Sequence, residues 1–507
     1  MKTELIYLEE PSLLFNYDQP SIDPRDGLSL FGPIDKAKPT GIRWGVIGLK
    51  ESIVRMKRWV ENIQKPVISG DNLIARPIFP GFESAFNAKW EHSPVLDIIV
   101  PKDKLKQNAF CSDRHQRVYR TVAMFSDRIV NSLRTEDVRP DIWCLVIPEY
   151  IYQNCRPNST IALEIRTEPE IAMSAKYARS LIQQPSFFEA ENKLAEEYEY
   201  EVNFHHQLKA RLLKYQIPTQ IIRESTIAFS DFKNVLGFPI RDLSSMQSAI
   251  AWSISTAIFY KAGGKPWKLG AAREGVCYIG LVFKQDERSK NPKTACCAAQ
   301  MFLDSGDGVV FKGAVGPWYR GKRGLYHLDH RSAKEIACMC IDAYKQKSEG
   351  KPPTELFIHG RVTFSDEEWK GFVEGAGNQT QVVGVTIKPA SFLKLFRKND
   401  HPILRGMAYL FDDRQGLLWT RGMTPRLRTY PGREVPNPIH VNICRGKTEL
   451  TTVMKDVLAL TKLNFNTCNF ADGLPVTLKF ANAVGEILTS APTKKVDVPP
   501  LPFKYYI

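Results

Sequence analysis

Three short apolar runs, separated by segments of helical periodicity, constrain the fold of this chain more than any other feature. The runs are residues 42–49 (IRWGVIGL), 96–100 (LDIIV) and 142–147 (IWCLVI), and residues 116–133 carry the apolar repeat of an amphipathic helix. Apolar strands that alternate with helices are typical of a sheet covered by helices. The first half of the chain is therefore predicted to be an α/β layer fold.

The second half of the chain orders its elements differently. Its strand candidates are residues 276–283, 295–303, 309–312, 355–359, 382–387, 406–412, 417–421 and 440–444. Several of them follow one another at hairpin spacing before a helical pattern begins, which indicates a mixed sheet.

Changes in composition divide the chain into three parts. Residues 1–40 are rich in Pro, Asp and Gly and are predicted to be an extended lead-in that crosses a surface rather than a packed element. A Gly-Gly-Lys-Pro sequence at 263–266 marks the boundary between the two halves. The predicted domains are therefore residues 41–265 and 266–507.

The net charge points to a polyanionic partner. Sixty-nine basic and 55 acidic residues leave +14, and the isoelectric point is near 9.2. Such a chain attracts nucleic acid through its positive field.

Cysteine usage and hydropathy indicate a reduced, cytoplasmic protein that does not enter membranes. The ten cysteines include no CxxC pair. Three glutamates interrupt the first ten residues, where a signal peptide needs an apolar run. The longest uncharged run, residues 243–260, contains five serines and is predicted to be a buried helix.

The stretch 186–223 contains the most informative local pattern. Ser186 and Glu189 have the spacing of a capping box, which predicts one long helix to about Lys214, followed by a strand that carries Gln220. His205 and Lys209, four residues apart, share one face of that helix and could hold a phosphate. An alternative is that acids at the start and bases at the end of the helix only complement its dipole.

Two further segments bear on the chemistry. Lys261 precedes the glycines at 263–264 and is either a phosphate ligand or a dipole partner at a helix end.

The candidate strands are poor in the carboxylates that a two-metal nuclease needs. His327 and His330 are interpreted as surface residues rather than a metal site.

The order of these segments resembles a short prokaryotic Argonaute, which has Mid and Piwi domains without N and Paz domains. The resemblance covers most of residues 25–507. It rests on GLSLFGP at 27–33, the HxxxK pattern with its glutamine, KAGGKPWKL at 261–269, YIGLVF at 278–283, ELFIHGR at 355–361, LALTKLNFN at 458–466 and LPVTLKFA at 474–481. It implies a Rossmann-like Mid domain followed by an RNase H-like Piwi domain.

The resemblance also implies a site for the 5′ phosphate of a guide. Matching residue by residue gives His205, Lys209, Gln220 and Lys261 as its ligands. His206 is the other candidate, but only His205 has a lysine four residues later. In the family, a magnesium ion often bridges guide phosphates and the terminal carboxylate, which would place Ile507 at the metal.

Catalytic members of the family carry an Asp-Glu-Asp-X tetrad in Piwi. Here the matching positions hold Val282, His359 and Asn482, and no glutamate between residues 305 and 331 matches the second member. Without paired carboxylates the metals of a slicing reaction have no ligands. The resemblance therefore implies an inactive Piwi domain and no enzyme activity in this chain.

The short members of the family imply a function in defence against plasmids or phages. There, a partner with an APAZ domain carries a TIR or sirtuin-like effector, and the TIR version hydrolyses NAD when the RNA-guided complex recognises single-stranded DNA. This chain is therefore expected to be the sensor subunit of a heterodimer with a TIR-APAZ protein that oligomerises on target recognition. Two alternatives remain: a guide-dependent endonuclease, which the missing carboxylates disfavour, and an unguided binder of single strands, which would need no phosphate pocket.

Overall fold

Two large sheets organise the computed structural model of this chain. It describes residues 3–35, 41–70, 74–270, 273–285, 294–303, 308–317, 326–398, 400–430, 432, 434–492 and 501–507. The α-helices of these residues are α1 (Pro24–Phe31), α2 (Lys50–Asn62), α3 (Phe82–Phe86), α4 (Lys102–Ala109), α5 (Arg114–Thr135), α6 (Glu149–Asn154), α7 (Ala175–Gln183), α8 (Glu189–Glu196), α9 (Phe204–Leu213), α10 (Glu224–Ile227), α11 (Gln247–Lys261), α12 (His330–Lys347), α13 (Asp366–Ala376), α14 (Leu450–Leu460), α15 (Val476–Lys479) and α16 (Ala481–Thr489).

The strands follow the same chain order. They are β1 (Glu4–Tyr7), β2 (Leu13–Leu14), β3 (Pro20–Ser21), β4 (Trp44–Gly48), β5 (Leu96–Ile99), β6 (Ile142–Ile147), β7 (Thr219–Arg223), β8 (Lys268–Leu269), β9 (Val276–Gln285), β10 (Thr294–Leu303), β11 (Gly308–Pro317), β12 (Glu355–Gly360), β13 (Gln381–Pro389), β14 (Met407–Leu410), β15 (Gln415–Leu418), β16 (Ile439–Arg445) and β17 (Leu501–Pro502).

The first half forms a four-stranded parallel sheet in the order β5-β4-β6-β7. Every residue of β4 and β6 is buried, because helices cover both faces of the sheet. On one face, Val118, Val122 and Phe125 of α5 pack with Leu145 of β6. The α/β prediction for this half is confirmed.

The second half forms a ten-stranded sheet in the order β1-β14-β15-β16-β13-β12-β9-β10-β11-β17. Strands β9, β10 and β11 are antiparallel neighbours, whereas β12 runs parallel to both β9 and β13. The sheet is therefore mixed, as predicted. Gly280 on β9 is closely covered, since a Cβ atom there would lie 1.8 Å from the Thr477 carbonyl oxygen.

The N-terminal segment departs from the prediction of an extended, unpacked lead-in. Strand β1 pairs with β14 at one edge of the large sheet, and α1 is a full helix that begins at the N-cap Asp23. Leu13, Phe15 and Leu28 are fully buried in the main core. The prediction was wrong because the Pro and Asp residues cap and start α1 instead of preventing a helix.

The single long helix predicted from residue 186 to about residue 214 is also interrupted. Helix α8 ends at Glu196, a 3₁₀ turn covers Glu197–Glu199, and α9 begins only after Asn203. The capping box of Ser186 and Glu189 does not form, because the Ser186 hydroxyl bonds to Glu191 instead. Asn203 caps the start of α9 instead, because its side-chain oxygen accepts hydrogen bonds from the backbone N–H groups of His205 and His206.

Candidate functional site: a buried lysine pair beside an open pocket

Helix α9 positions Lys209 inside the protein. Phe204, Leu208 and Leu212 pack into the core under the parallel sheet and fix the rotation of the helix. Lys209 is 2% exposed, and its Nζ donates to the carbonyl oxygen of Thr219 and to the main-chain oxygen of Ile507, both at 2.7 Å. Burial lowers the pKa of Lys209 to about 7.

Lys261, in the last turn of α11, is equally buried. Its Nζ donates to the side-chain oxygen of Gln220 on β7 at 2.7 Å. Burial, and then the nearby positive charge of Lys209, lower the pKa of Lys261 well below its ordinary value. The structure thus brings Lys209, Gln220, Lys261 and Ile507 together, although 298 residues separate Lys209 from Ile507.

The charge balance of this cluster is its most unusual property. Among the described residues, no Asp or Glu side chain forms an ion pair with Lys209 or Lys261. Lys261 contacts the neutral amide oxygen of Gln220, and Lys209 contacts the carbonyl oxygen of Thr219 and an oxygen of Ile507, the last residue of the sequence. Two buried ammonium groups close together are costly, because each loses its hydration and each repels the other. An anion bound between them would remove that cost, so the cluster is suited to a phosphate.

The two adjacent histidines differ in their contacts. His206 is held between two carboxylates, with Nδ1 3.1 Å from Glu201 and Nε2 3.2 Å from Glu486. In the part of the chain that the structure describes, the ring of His205 has no hydrogen-bond partner. Of the two candidates, His205 is therefore the histidine that is available to a ligand.

His205 combines an enclosed position with access to solvent. Its side chain is exposed to solvent where it faces a pocket, while protein atoms surround the ring on other sides. This desolvation, and then the charges of Lys209 and His206, lower the pKa of His205. The imidazole is therefore neutral in the free protein and can both donate and accept a hydrogen bond.

The pocket in front of His205 has a volume of about 520 Å³ and lies between α6, α9 and β7. Tyr152 forms one of its walls and is stacked between two guanidinium groups, with Arg156 3.3 Å and Arg223 3.6 Å from the ring centre. Glu149 pairs with Arg223 and holds it in place. Arginine and aromatic surfaces of this kind suit a base and its phosphate.

These wall residues were not found from the sequence. Tyr152 and Arg156 occupy α6 and the turn that follows it, and Arg223 is the last residue of β7. Their positions at or after the ends of predicted strands could have indicated them, because ligands bind at the carboxyl ends of the strands in open α/β sheets.

The site offers little to a magnesium ion by itself. The oxygens of suitable type are the main-chain oxygen of Ile507 and the amide oxygen of Gln220, and each already accepts a hydrogen bond from a lysine. No group of three or more His, Cys, Asp or Glu side chains that could hold a metal occurs within the described ranges. Magnesium fits here only if phosphate oxygens of a bound ligand supply further coordination.

The positions matched to the catalytic tetrad lie in the large sheet and beside it. His359 on β12 is fully buried, and its Nδ1 lies 2.9 Å from the hydroxyl of Thr477. Burial lowers the pKa of His359 to about 3, so the ring is neutral. Val282 is on β9 and Asn482 is on α16, but their side chains lie outside the described residues.

Part of residues 305–331, where the sequence holds no match to the glutamate of the tetrad, also lies outside the described residues. This applies to residues 305–307 and 318–325, and to the side chains of 308–317. Of the two histidines interpreted as surface residues, His330 is exposed, while His327 is mostly buried and pairs with Glu368.

Comparison with solved structures identifies the architecture. The Argonaute of Clostridium butyricum, solved with a guide DNA and a 19-mer target DNA, superposes on the whole chain with a TM-score of 0.61 at 16% identity. The chain has an Argonaute-like fold. Drosophila Piwi matches 99% of this Argonaute-like chain with a TM-score of 0.57 at 12% identity, and Aquifex aeolicus Argonaute matches all of it at 0.51 and 13%.

The Argonaute-like chain spans little more than half the length of these proteins: 55% of the Clostridium butyricum chain, 56% of Drosophila Piwi and 57% of the Aquifex aeolicus chain. No protein-family model and no curated protein sequence matches it. Among the described helices, none has the length and apolar character needed to cross a bilayer.

Proposed function

We propose that this Argonaute-like chain binds a guide RNA through its 5′ phosphate and uses it to recognise complementary single-stranded DNA. The observation that supports this most directly is the buried pair Lys209 and Lys261, which has no Asp or Glu partner within the described residues. A phosphate placed between them would also reach Gln220 and the ring of His205. The adjacent pocket walled by Tyr152 would receive the first nucleoside.

The chemistry of these side chains favours a terminal phosphate over an internal one. A terminal phosphate carries up to two charges near neutral pH and three acceptor oxygens, so two ammonium groups, an amide and an imidazole can bind it together. An internal phosphodiester carries one charge and two free oxygens. The site is therefore expected to select strand ends.

A magnesium ion is part of this proposal only in the presence of a guide. The ion would take ligands from guide phosphate oxygens and from the main-chain oxygen of Ile507. Its contribution would be to neutralise the charge of phosphates that lie close together.

Binding of the target without cleavage is proposed on the basis of His359. By the family resemblance, His359 matches the position of a metal-binding aspartate of the tetrad, and its buried ring is already engaged with Thr477. If the chain were instead a guided endonuclease, a defined product would form opposite one guide position. If it were an unguided binder, strands with 5′-phosphate and 5′-hydroxyl ends would bind equally.

We further propose a role as the cytoplasmic sensor subunit of a defence complex with a TIR-APAZ NAD hydrolase. The resemblance of its segments to short prokaryotic Argonautes supports this role, and the partner chain would help to enclose the duplex. Duplex formation would then favour the active, oligomeric state of the complex.

The experiment that tests the binding proposal compares guides that differ only in the 5′ group. Anisotropy titrations of wild-type protein with 5′-phosphate and 5′-hydroxyl RNA of one sequence should show tighter binding of the phosphate form. Equal affinities would contradict the proposal. For the partner, co-expression with the neighbouring reading frame should yield a complex that consumes NAD when guide and complementary DNA are both present.

A further inference from the structure

The segment 391–398 (SFLKLFRK), which follows β13, presents alternate side chains to two environments. Leu393 and Leu395 are partly buried and pack against the apolar cluster around Trp419. Phe392 and Phe396 are 71% and 77% exposed. This period of two is that of an extended chain with one anchored face and one face in solvent.

Segment 391–398 and the end of β13 also carry cations. Lys394, Arg397 and Lys398 lie in the segment, and Lys388 lies in β13, and all four are exposed. None of them forms an ion pair with a carboxylate among the described residues, although Asp400 follows closely in the chain. The result is two exposed aromatic rings among four cations.

Segment 391–398 begins at the edge of the large sheet where two parallel strands end. Strands β12 and β13 are parallel, with His359 paired to Val385, so their carboxyl ends lie at one edge. Segment 391–398 leaves the sheet from that edge. Crevices at the carboxyl ends of parallel strands are the usual binding places of α/β sheets.

We propose that segment 391–398 is a platform for a nucleic-acid strand, on which bases stack on Phe392 and Phe396 while the cations contact phosphates. This inference deepens the proposed function and rests on it for the identity of the ligand. Fully extended, four residues span roughly 13 Å, so the two rings would reach different nucleotides. Lysine is depleted in the cores of protein interfaces, so a strand suits this surface better than a protein partner.

The test uses the full-length chain and two multiple variants. In Phe392→Ala/Phe396→Ala, affinity for a 5′-phosphorylated RNA should fall at least about tenfold, because base–aromatic stacking contributes about 1–3 kcal/mol per base. In Lys394→Ala/Arg397→Ala/Lys398→Ala, the slope of log K against log salt should become shallower by about 2. The matched control is Phe187→Ala/Phe188→Ala, which removes two exposed rings from another surface and should bind as wild type.

The outcomes separate this inference from the proposed function. If the ring variant keeps wild-type affinity while wild-type protein prefers 5′ phosphate, the platform is excluded and the function stands. If there is no 5′ preference but the ring variant binds an oligothymidine more weakly, the platform stands and the phosphate site fails. Wild-type strand affinity with loss of a co-purifying protein would show a protein interface and overturn the inference.

Discussion

Lys209 on α9 donates a 2.7 Å hydrogen bond to the main-chain oxygen of Ile507, the last residue of the sequence. This contact joins the half that contains the parallel sheet to the tail that follows the ten-stranded sheet. Near this contact lies the second lysine, Lys261, which donates to the side-chain amide oxygen of Gln220. The candidate site therefore depends on the packing of both halves.

The first prediction concerns the lysine pair. In Lys209→Gln/Lys261→Gln, the advantage of 5′-phosphorylated over 5′-hydroxyl guides should fall at least about tenfold, since hydrogen bonds to charged groups contribute about 1.5–3 kcal/mol each. Anisotropy titrations measure the ratio of the two affinities.

Lys462 provides the matched control, because it is equally buried but pairs with Glu10 at 2.8 Å. Lys462→Gln should lower the melting temperature and leave the ratio unchanged. A normal ratio in the Lys209→Gln/Lys261→Gln protein would show that the phosphate binds elsewhere.

The second prediction is a pH dependence of guide binding. Burial lowers the pKa of Lys209 to about 7, and a bound phosphate favours the ammonium form and raises that pKa. Above pH 7, guide binding must therefore take up a proton, and affinity for phosphorylated guides should fall as pH rises toward the raised pKa. Lys209→Gln should flatten this dependence of affinity on pH, and the affinity for a 5′-hydroxyl guide should change little with pH. An affinity for phosphorylated guides that rises above pH 7 would contradict the role of Lys209 as a phosphate ligand.

The same shift predicts the opposite trend for stability without a guide. The folded-state pKa of Lys209 is about 7, below its ordinary value near 10.5, so the unfolded chain binds more protons between these values. The contribution of Lys209 to the free energy of unfolding should therefore become more favourable as pH rises through this window. Urea unfolding of wild type and of Lys209→Gln at several pH values measures this contribution as the difference between their free energies of unfolding at each pH.

The third prediction concerns metal. Guide-free protein should show no magnesium binding at the lysine site by calorimetry, because both candidate oxygens already accept hydrogen bonds from lysines. Magnesium should tighten binding of a 5′-phosphorylated guide and leave a 5′-hydroxyl guide nearly unaffected. Equal effects on both guides would place the ion away from this site.

The fourth prediction is that no guided cleavage occurs with magnesium or manganese. His359 is buried, neutral and bonded to Thr477, and it cannot replace a metal-binding carboxylate. Gel analysis of labelled target should show no product opposite a fixed guide position. A product that disappears in His359→Ala would refute the prediction.

The fifth prediction concerns Gly280. A methyl group there would meet the Thr477 carbonyl oxygen at 1.8 Å, and the contact involves backbone that cannot easily move. Gly280→Ala should therefore destabilise the protein by about 1–3 kcal/mol, the usual cost of overpacking. Thermal unfolding of wild type and of Gly280→Ala measures this loss of stability. An unchanged melting temperature would mean that β9 and α15 separate more readily than their packing indicates.

Local patterns in the sequence predicted much of the fold because they reflect local burial. Residues 142–147 form β6 with the predicted bounds, since six consecutive apolar residues suit a strand buried on both faces. The strand that carries Gln220 after Pro218 was also predicted correctly, and His205 and Lys209 do lie on one helix, although it is the shorter α9. The roles of these residues as phosphate ligands remain predictions.

Tertiary structure alone decided the features that depend on distant parts of the chain. The sequence could not show that Asn203 would cap a separate α9 or that Tyr152 would stack between Arg156 and Arg223. It also could not show that β1 would pair with β14, a strand that follows it by about 400 residues. The sequence determined which segments are apolar and which side chains can bind a phosphate, because both are properties of residue type and short spacing. Only the fold decided that Lys209 and Lys261 are buried together with no Asp or Glu partner among the described residues, because burial depends on what the rest of the chain packs around them.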